Sequence, residues 1–412
     1  MNIPKKLVVI GGGAAGFFGA IKAAESNPNL VVTILEQGND ILGKVLISGG
    51  GRCNVTNACL EPSELVKFYP RGEKELLAPF MQFNCQHTMQ WFEQRNVKLK
   101  TEADGRIFPI SNRSQTIIDC LYNTAIENNI QIIKQAKVFT IQKENSFIIS
   151  YNKNEELIAD YLLVTSGSSQ LIWQLLENLG HTIVKPVPSL FTFNSKAEIL
   201  KGLEGIVLKD TIVKINQEKI TQSGAILITH TGLSGPAILK FSAFAAHALF
   251  DCNYQFQLLI NWINETNQDC LEFFKQQKTI HHKKQLKNFN IYELPNRFWL
   301  KVLEVNKINI EKIAADLSKQ EIQQIATTLT QTIIEVISKN TNKEEFVTAG
   351  GVHLKEIHFK TMESKKIPNL YFAGEVMNID AVTGGFNFQA AWTTSYIAGS
   401  SIAINSLNKN NI

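Results

Sequence analysis

The feature that most constrains this chain is its opening, Lys6-Leu-Val-Val-Ile-Gly11-Gly12-Gly13-Ala14-Ala15-Gly16, followed twenty residues later by an acid, Glu36. An apolar run of strand type at 7–10 meets Gly11-x-Gly13-x-x-Gly16, and helix formers continue to Ala24. A second apolar run at 30–35 ends on Glu36-Gln37. Strand, glycine turn, helix, strand and acid in that order form a dinucleotide-binding βαβ unit. Gly11 allows the tight turn, Gly13 lets the backbone approach a pyrophosphate, and Gly16 lets helix and strand pack closely. The free N–H groups of the helix start, at Ala14 and Ala15, attract phosphates. Glu36, with Gln37 beside it, accepts hydrogen bonds from an adenosine ribose.

A chain of 412 residues implies two or three domains, and 44% apolar residues suffice to fill their cores. A net charge of +4 neither demands nor excludes an anionic partner. Six cysteines scattered over this length are no disulfide framework and fit a reducing compartment. Cys53 and Cys59 have no second pair to complete a zinc site, and His281-His282 stand without other ligands nearby, so no metal is expected. No apolar run reaches the roughly 18 residues of a membrane span, and the first apolar run is too short for a signal-peptide core. The expectation is a soluble cytoplasmic protein without a membrane partner.

Gly38-Asn-Asp-Ile-Leu-Gly43-Lys44-Val45 imitates a phosphate-binding P-loop, but Val45 stands where a hydroxyl must hold magnesium. Ser48-Gly49-Gly50-Gly51-Arg52-Cys53-Asn54-Val55-Thr56-Asn57 is more informative: three glycines pass close to a flat ligand, and four donors follow within six residues. Helical periodicity at 88–97 and 114–128 flanks a turn at 104–109. Strand patterns follow at 138–142, 146–151 and 157–165, the last running into Thr165-Ser166-Gly167, a small-residue turn of the kind that faces ligands at a sheet's carboxyl edge. A helix is expected at 170–179. Pro186 and Pro188 mark a boundary. Short strands to about 260 suggest a barrel, and 270–340 reads as helical, with Pro295 breaking one helix. Within it Lys275, Lys278, His281, His282, Lys283, Lys284 and Lys287 face a single acid, Glu272, which suits either a solvated helix face or a nucleic-acid backbone. Strands at 346–352 and 369–375 return to the first domain. Gly384-Gly385-Phe386-Asn387 then opens a last helix whose dipole suits a reduced flavin.

These residues resemble the YhiN/BaiN-type FAD-dependent oxidoreductases of the glutathione-reductase-like superfamily. Four stretches carry the likeness: 11–16, the Gly43-to-Asn57 run, His230-Thr-Gly-Leu-Ser-Gly-Pro236, and Phe372-Ala-Gly374-Glu375 through Gln389. The resemblance implies an α/β fold, a Rossmann-like FAD-binding domain from residues 1–189 and 345–412. Inserted between them would be a β-barrel-like domain at 190–265 and a helical one at 266–344. It implies Lys44, Gly50, Arg52, Cys53 and Asn54 along the isoalloxazine and Val138 at the adenine. Gly374, Glu375, Asp380, Asn387 and Gln389 would lie along the ribityl chain and flavin edge. The sequence departs from the family pattern at Val164-Thr-Ser-Gly167 and at Ala381, which bear on the flavin surroundings.

The chemistry implied is hydride delivery from reduced FAD to a polarised C=C bond, with Cys53, read either as an activated thiol or as a buried small apolar residue, as the candidate proton donor and Arg52 beside it. No second dinucleotide fingerprint appears, so NAD(P)H would visit the flavin and leave. Members of the family are linked to dihydrouridine formation in ribosomal RNA, and Lys275, Lys278, Lys283, Lys284 and Lys287 would then grip phosphates. The alternatives are a small-molecule oxidase or reductase and a non-catalytic RNA-binding flavoprotein.

Overall fold

A computed structural model describes residues 4–215, 220–340 and 347–408. The chain forms two units, Met1–Pro186 with Thr348–Ile412, and Val187–Val347. In the first, the strand β1 (Lys6–Ile10) feeds the helix α1 (Ala14–Ser26) and the strand β2 (Val31–Leu35). Leu7, Val9, Ile34, Leu162 and Leu163 have no exposed surface, because this parallel sheet is covered on both faces. That is why its strands read as apolar runs without alternation.

The sheet runs from the short hairpin Ile357–His358/Glu363–Ser364 through Leu370–Phe372, Tyr161–Val164, β1 and β2 to Gln131–Ile133. Its register puts four strand ends level. Ile10 pairs with both Val164 and Leu35, and Val164 pairs with Phe372. Gly11, Thr165, Glu36 and Ala373 therefore emerge on one edge, and strand order reverses at β1, the switch point where such sheets bind ligands. The final helix, Phe386–Asn408, crosses α1 at two glycines. A Cβ on Gly399 would lie 2.5 Å from the Gly19 carbonyl oxygen, so backbone passes directly over backbone.

Several elements differ from the sequence reading for definable reasons. The run at 157–165 is two strands, Glu155–Ala159 and Tyr161–Val164, in different sheets. Asp160 breaks it by accepting hydrogen bonds from Lys5 Nζ (2.8 Å) and the Lys6 N–H (2.9 Å). The helix expected at 88–97 spans Cys85–Glu93, started early by an Asn84–His87 capping box. Pro295 precedes the helix Asn296–Val305 and does not break one. The strand at 346–352 is Val347–Val352; Phe346 and the 344/345 boundary lie outside the described residues.

In the second unit the seven-stranded sheet is antiparallel throughout its described residues. Thr332–Val336 pairs with Phe256–Asn261, and Ser338–Asn340 pairs with Thr192–Asn194 at the other end of the same sheet. Only Ile337 separates these two pieces, and its N–H still donates to the Asn194 carbonyl at 3.0 Å. One continuous segment thus joins both edges and closes the sheet into a barrel. Residues 332–340, assigned to the helical part by pattern, are barrel strands. Three helices, Asn267–Ile280, Asn296–Val305 and Lys319–Thr330, sit between barrel strands in sequence. Their Phe274, Trp299 and Ile325 share one core with Phe193, Ile226 and Leu258, so no separate helical core begins at 266.

A buried polar cluster ties the sheet's hairpin edge to the turn after Gln170–Asn178. His181 Nδ1 lies 3.0 Å from Glu356 Oε2, and its Nε2 lies 3.0 Å from Ser364 Oγ. This is the connectivity of a hydrolytic triad, but Ser364 Oγ already accepts the N–H groups of Lys366 (3.0 Å) and Ile367 (2.9 Å) and is 5% exposed. Its proton goes to Nε2, so Nδ1–H donates to Glu356 and the cluster is structural. Burial pulls the His181 pKa below its usual 6.5, against the partial opposition of Glu356. Burial would raise Glu356, but Lys366, Thr182 and His181 outweigh it and bring the carboxyl from 4.5 to about 2. Both groups bind more protons unfolded than folded at acid pH, so both contributions are lost on acidification. Stability in urea should fall below pH 6.5 through His181 and again between 4.5 and about 2 through Glu356. His181→Gln should flatten the first limb and Glu356→Gln the second; unchanged limbs would place the linked protons elsewhere.

Candidate functional site

The three fingerprint glycines have three distinct surroundings. Gly11 adopts φ 111°, and a Cβ there would lie 2.7 Å from the Thr165 carbonyl oxygen. A Cβ on Gly16 would lie 1.9 Å from the Gly11 carbonyl oxygen, so only glycine lets α1 pack there. Around Gly13 a Cβ would meet nothing within 4 Å. It opens onto free space at the start of α1, where no side chain caps the helix. The N–H groups of the Ala14–Ala15 turn are thereby left for an anion.

Glu36 closes this end. Its Oε2 accepts the Gly12 N–H (2.8 Å) and its Oε1 the Gly38 N–H (2.7 Å), which fixes the carboxylate and leaves lone pairs for ribose hydroxyls. Gln37 is exposed beside it. The chain returns past this rim, with Ala136 N–H donating to the Glu36 carbonyl (2.8 Å). Val138, two residues on, is 3% exposed and backs the rim without forming its surface.

Three segments converge farther along the edge. α2 (Gly43–Gly51) is helical only at its start; Ser48, Gly49 and Gly50 break it, the glycines at φ 58° and 67°. Cβ atoms on Gly50 and Gly51 would meet nothing within 4 Å, so this backbone is open to a flat ligand. Lys44 Nζ reaches Glu375 Oε2 at 2.5 Å, and a Cβ on Gly167 would lie 3.8 Å from each. Gly374, at φ 73°, lies over the starts of α1 and the final helix, its imagined Cβ 3.1 Å from Ala15 Cβ and 3.8 Å from Ala391 Cβ. Thr165 spends its hydroxyl on the Ile10 and Gly11 carbonyls (3.0 and 2.9 Å). Among the described residues, the buried Ser166 Oγ and Asn378 Oδ1 have no partner. Unsatisfied buried polar atoms are rare, and that of Ser166, two residues past Val164 at the sheet edge, marks a place where a polar ligand completes the structure.

Arg52 is a second cation on this wall, beside Lys44. Its Nη1 binds Glu102 Oε1 at 2.6 Å, its guanidinium carbon lies 4.0 Å from the Phe108 ring centroid, and the side chain keeps 34% exposure. Glu102 also takes Arg106 (3.2 Å), so one carboxylate orients two guanidiniums. Glu102 and Phe108 hold Arg52 in place, and sequence reasoning missed both. The 104–109 turn was visible, but no local pattern shows Glu102 reaching a residue fifty positions earlier.

Other residues expected at the cofactor have partners within the protein. Cys53 has no exposed surface, sits in the apolar core at φ 58°, and burial pushes its thiol up to about 12 despite a Ser48 hydrogen bond. It is neither a reachable proton donor nor a cofactor contact. Gln389 is fully buried, its amide oxygen taken by Thr56 (2.5 Å) and Thr88 (2.9 Å) and its nitrogen by Thr393 (3.0 Å). Asp380 is fully buried against Arg71, and Phe386 is stacked on Phe68 at 4.1 Å. Asn387 clamps both backbone groups of Ala381. Gly385, at φ 89°, would carry a Cβ 2.5 Å from the Thr56 carbonyl oxygen and 2.9 Å from Asn54 Oδ1, and the Gly384 carbonyl accepts from Asn57 Nδ2 (2.9 Å). Asn54 and the 380–389 loop therefore help build the frame, with Asn54, Gly384, Gly385 and Asn387 still half-exposed; Gly13, Glu36, Lys44, Gly50, Arg52, Ser166 and Glu375 line the open edge.

This lining fits a dinucleotide with a flat ring system: an open glycine at a helix start, a fixed acid, an open glycine run and an orphaned hydroxyl. Residues 5–401 match the family described as the HI0933-like protein Rossmann domain. The chain belongs to this family. It is 27% identical over 405 residues (94% of this chain, 96% of the relative) to a ribosomal RNA dihydrouridine synthase of Escherichia coli. It is 25% identical over 414 residues (97% and 99%) to a 3-dehydro-bile acid delta(4,6)-reductase of Clostridium scindens. Its fold is similar to that of a 3-ketosteroid-delta4-(5alpha)-dehydrogenase from Rhodococcus jostii, with TM-score 0.53, 13% identity and 98% of each chain covered. Like its family, the protein is an FAD-dependent oxidoreductase with a Rossmann-like cofactor domain.

The glycine geometry yields a contrast. Gly13→Ala should fold with unchanged melting of the apoprotein yet bind FAD at least about tenfold more weakly, about 1.4 kcal/mol. Gly16→Ala should fail to form the domain at all. Flavin-fluorescence titration with circular dichroism separates the two, and equal behaviour of both variants would refute the assignment.

Proposed function

We propose that this enzyme reduces a carbon–carbon double bond conjugated to a carbonyl, and that its substrate is uracil within ribosomal RNA, giving dihydrouridine, with NAD(P)H as the electron source. The observation that carries this reading is a chemistry common to two differently named relatives. Both an RNA dihydrouridine synthase and a bile acid delta(4,6)-reductase add two hydrogens across a C=C bond, and each covers nearly all of this chain. Bound FAD supplies hydride.

The protein's own groups do the rest. The Gly13–Ala15 turn holds the pyrophosphate, and Glu36 the ribose. Gly50 and Gly51 leave room for the ring, and the Lys44–Glu375 pair borders it. Arg52 carries the charge needed to stabilise a substrate carbonyl oxygen that becomes negative as hydride arrives at the conjugated carbon, and water reaching the open side of Arg52 supplies the proton taken up by the neighbouring carbon. Glu102 and Phe108 hold that guanidinium still, so little reorganisation is needed at the moment of reaction. NAD(P)H, for which no second glycine fingerprint exists, visits the same face and departs before substrate binds. A free 3-oxo-4-ene is the second reading, favoured by the bile acid reductase likeness.

The test is the anaerobic flavin spectrum of the purified protein with NADPH or NADH, followed by unmodified 23S ribosomal RNA transcript, a 3-oxo-4-ene steroid, or air. Bleaching by a nicotinamide and recovery on RNA are expected. Recovery only on steroid moves the substrate to the second reading, and recovery only on air makes the protein an oxidase. Arg52→Ala should slow the recovery step by about 10²-fold or more while leaving bleaching unchanged. Cys53→Ala should leave both steps within about twofold; a selective loss of recovery there would restore the thiol as proton donor.

A further inference from the structure

The basic segment of the second unit divides once its contacts are resolved. Lys278 Nζ donates to the Leu317 carbonyl (2.5 Å), and Lys287 Nζ lies 2.9 Å from both Glu311 oxygens. Those two lysines serve the fold. Lys275, His281, His282, Lys283 and Lys284 are all exposed.

The turn that presents them is held firmly. Ala315 N–H donates to the His282 carbonyl (3.0 Å) and Ala314 N–H to the Lys284 carbonyl (2.8 Å). Leu286 N–H donates to the Lys312 carbonyl (2.8 Å), Lys287 N–H to that of Ile310 (3.0 Å), and the Lys284 N–H closes the turn on His281 (2.8 Å). Segment 310–317 thus pins residues 282–287 through backbone bonds and the Lys287–Glu311 ion pair, leaving the side chains of 281–284 in solvent. Its acids are Glu311, taken by Lys287, and Asp316; Lys312 is in turn paired with Glu321.

Charge also reverses along the helix Asn267–Ile280. Glu265, Asp269 and Glu272 border a shallow surface depression with Phe273 and Tyr292 along its first half, while Lys275 and the 281–284 turn lie toward its end. Acids at a helix start and bases at its end offset the macrodipole, which accounts for one or two charges at each terminus. It does not account for Lys283 and Lys284, which lie beyond the last turn on a pinned loop.

We propose that Lys275, Lys283 and Lys284 form a phosphate-binding edge for the backbone of a folded RNA, and that the acidic half of the same helix repels that backbone and sets where the contact stops. The inference rests on the RNA reading above and names its contact surface. Fixed lysines contribute sequence-independent affinity by releasing counterions. The segment therefore governs how tightly the RNA is held, without a part in the chemistry at the flavin.

The experiment uses the full FAD-loaded protein and unmodified 23S ribosomal RNA transcript, with affinity measured against salt. Lys283→Gln/Lys284→Gln should lower the slope of log K against log[salt] by roughly 0.7–0.9 for each phosphate that is no longer neutralised. KM for RNA should rise several-fold, with kcat and NADPH bleaching unchanged. Glu265→Gln/Asp269→Gln/Glu272→Gln should shift affinity the opposite way. An unchanged slope in the lysine variant, with normal flavin content, overturns the proposed edge while RNA reduction by the unaltered protein still stands. If the unaltered protein binds the transcript with a lysine-dependent slope yet never reduces it, the edge survives and the substrate reading fails. Tighter binding by the lysine variant, or weaker binding by the acid variant, would refute the electrostatic account.

Discussion

The cofactor unit depends on backbone passing backbone where β1 becomes α1. With 1.9 Å between an imagined Gly16 Cβ and the Gly11 carbonyl oxygen, a methyl group there cannot be absorbed by side-chain adjustment. The same economy of volume recurs where Gly399 crosses Gly19 and where Gly385 meets Thr56. These contacts bring α1, the final helix and the Ser48–Asn57 run to one sheet edge. Close approach has a second effect: it leaves N–H groups at a helix start without side-chain competitors, so the packing solution is also the anion site.

Charge around that edge is graded by burial. Asp380 and Arg71 are paired out of solvent, where removing one partner leaves an uncompensated charge and costs on the order of 3–5 kcal/mol. Their role is to hold the loop ahead of the final helix. Lys44–Glu375 and Arg52–Glu102 retain solvent on at least one partner and are correspondingly free to exchange partners with a ligand. Arg52 combines orientation with access: a carboxylate and an aromatic ring fix the guanidinium while a third of its side chain stays open. That combination separates it from its neighbour Cys53, whose backbone lies in the same motif but whose thiol faces the core.

The second unit shows how a barrel can close without a regular sequence period. A nine-residue stretch pairs at one end with Phe256–Asn261 and at the other with Thr192–Asn194, while three helices occupy the sequence just before it. The helical pattern of 270–330 is strong and local. The strand pattern that follows, Thr-Ile-Ile-Glu-Val, is short enough to be absorbed into it by eye. Long-range hydrogen bonding decided the matter, because an unclosed sheet would expose two edges.

Much of the cofactor domain was readable because its determinants are local. A strand, three glycines, a helix and an acid state their geometry within thirty residues, and β1, α1 and β2 form around Gly13, Gly16 and Glu36 as that order implies. Motif membership failed as a guide where a side chain could turn either way. Cys53, Asp380, Gln389 and Phe386 belong to recognisable runs, yet each points into packing that only residues distant in sequence supply. The reverse error is equally physical: Glu102 and Phe108 carry no signature, and come to hold Arg52 because an antiparallel pairing brings Ile107 opposite Thr56. The sequence by itself determined the dinucleotide turn and the discontinuous α/β domain, since these follow from steric limits on single residues and their neighbours. Only the tertiary structure decided which side chains reach the crevice, because that depends on which surfaces are already filled.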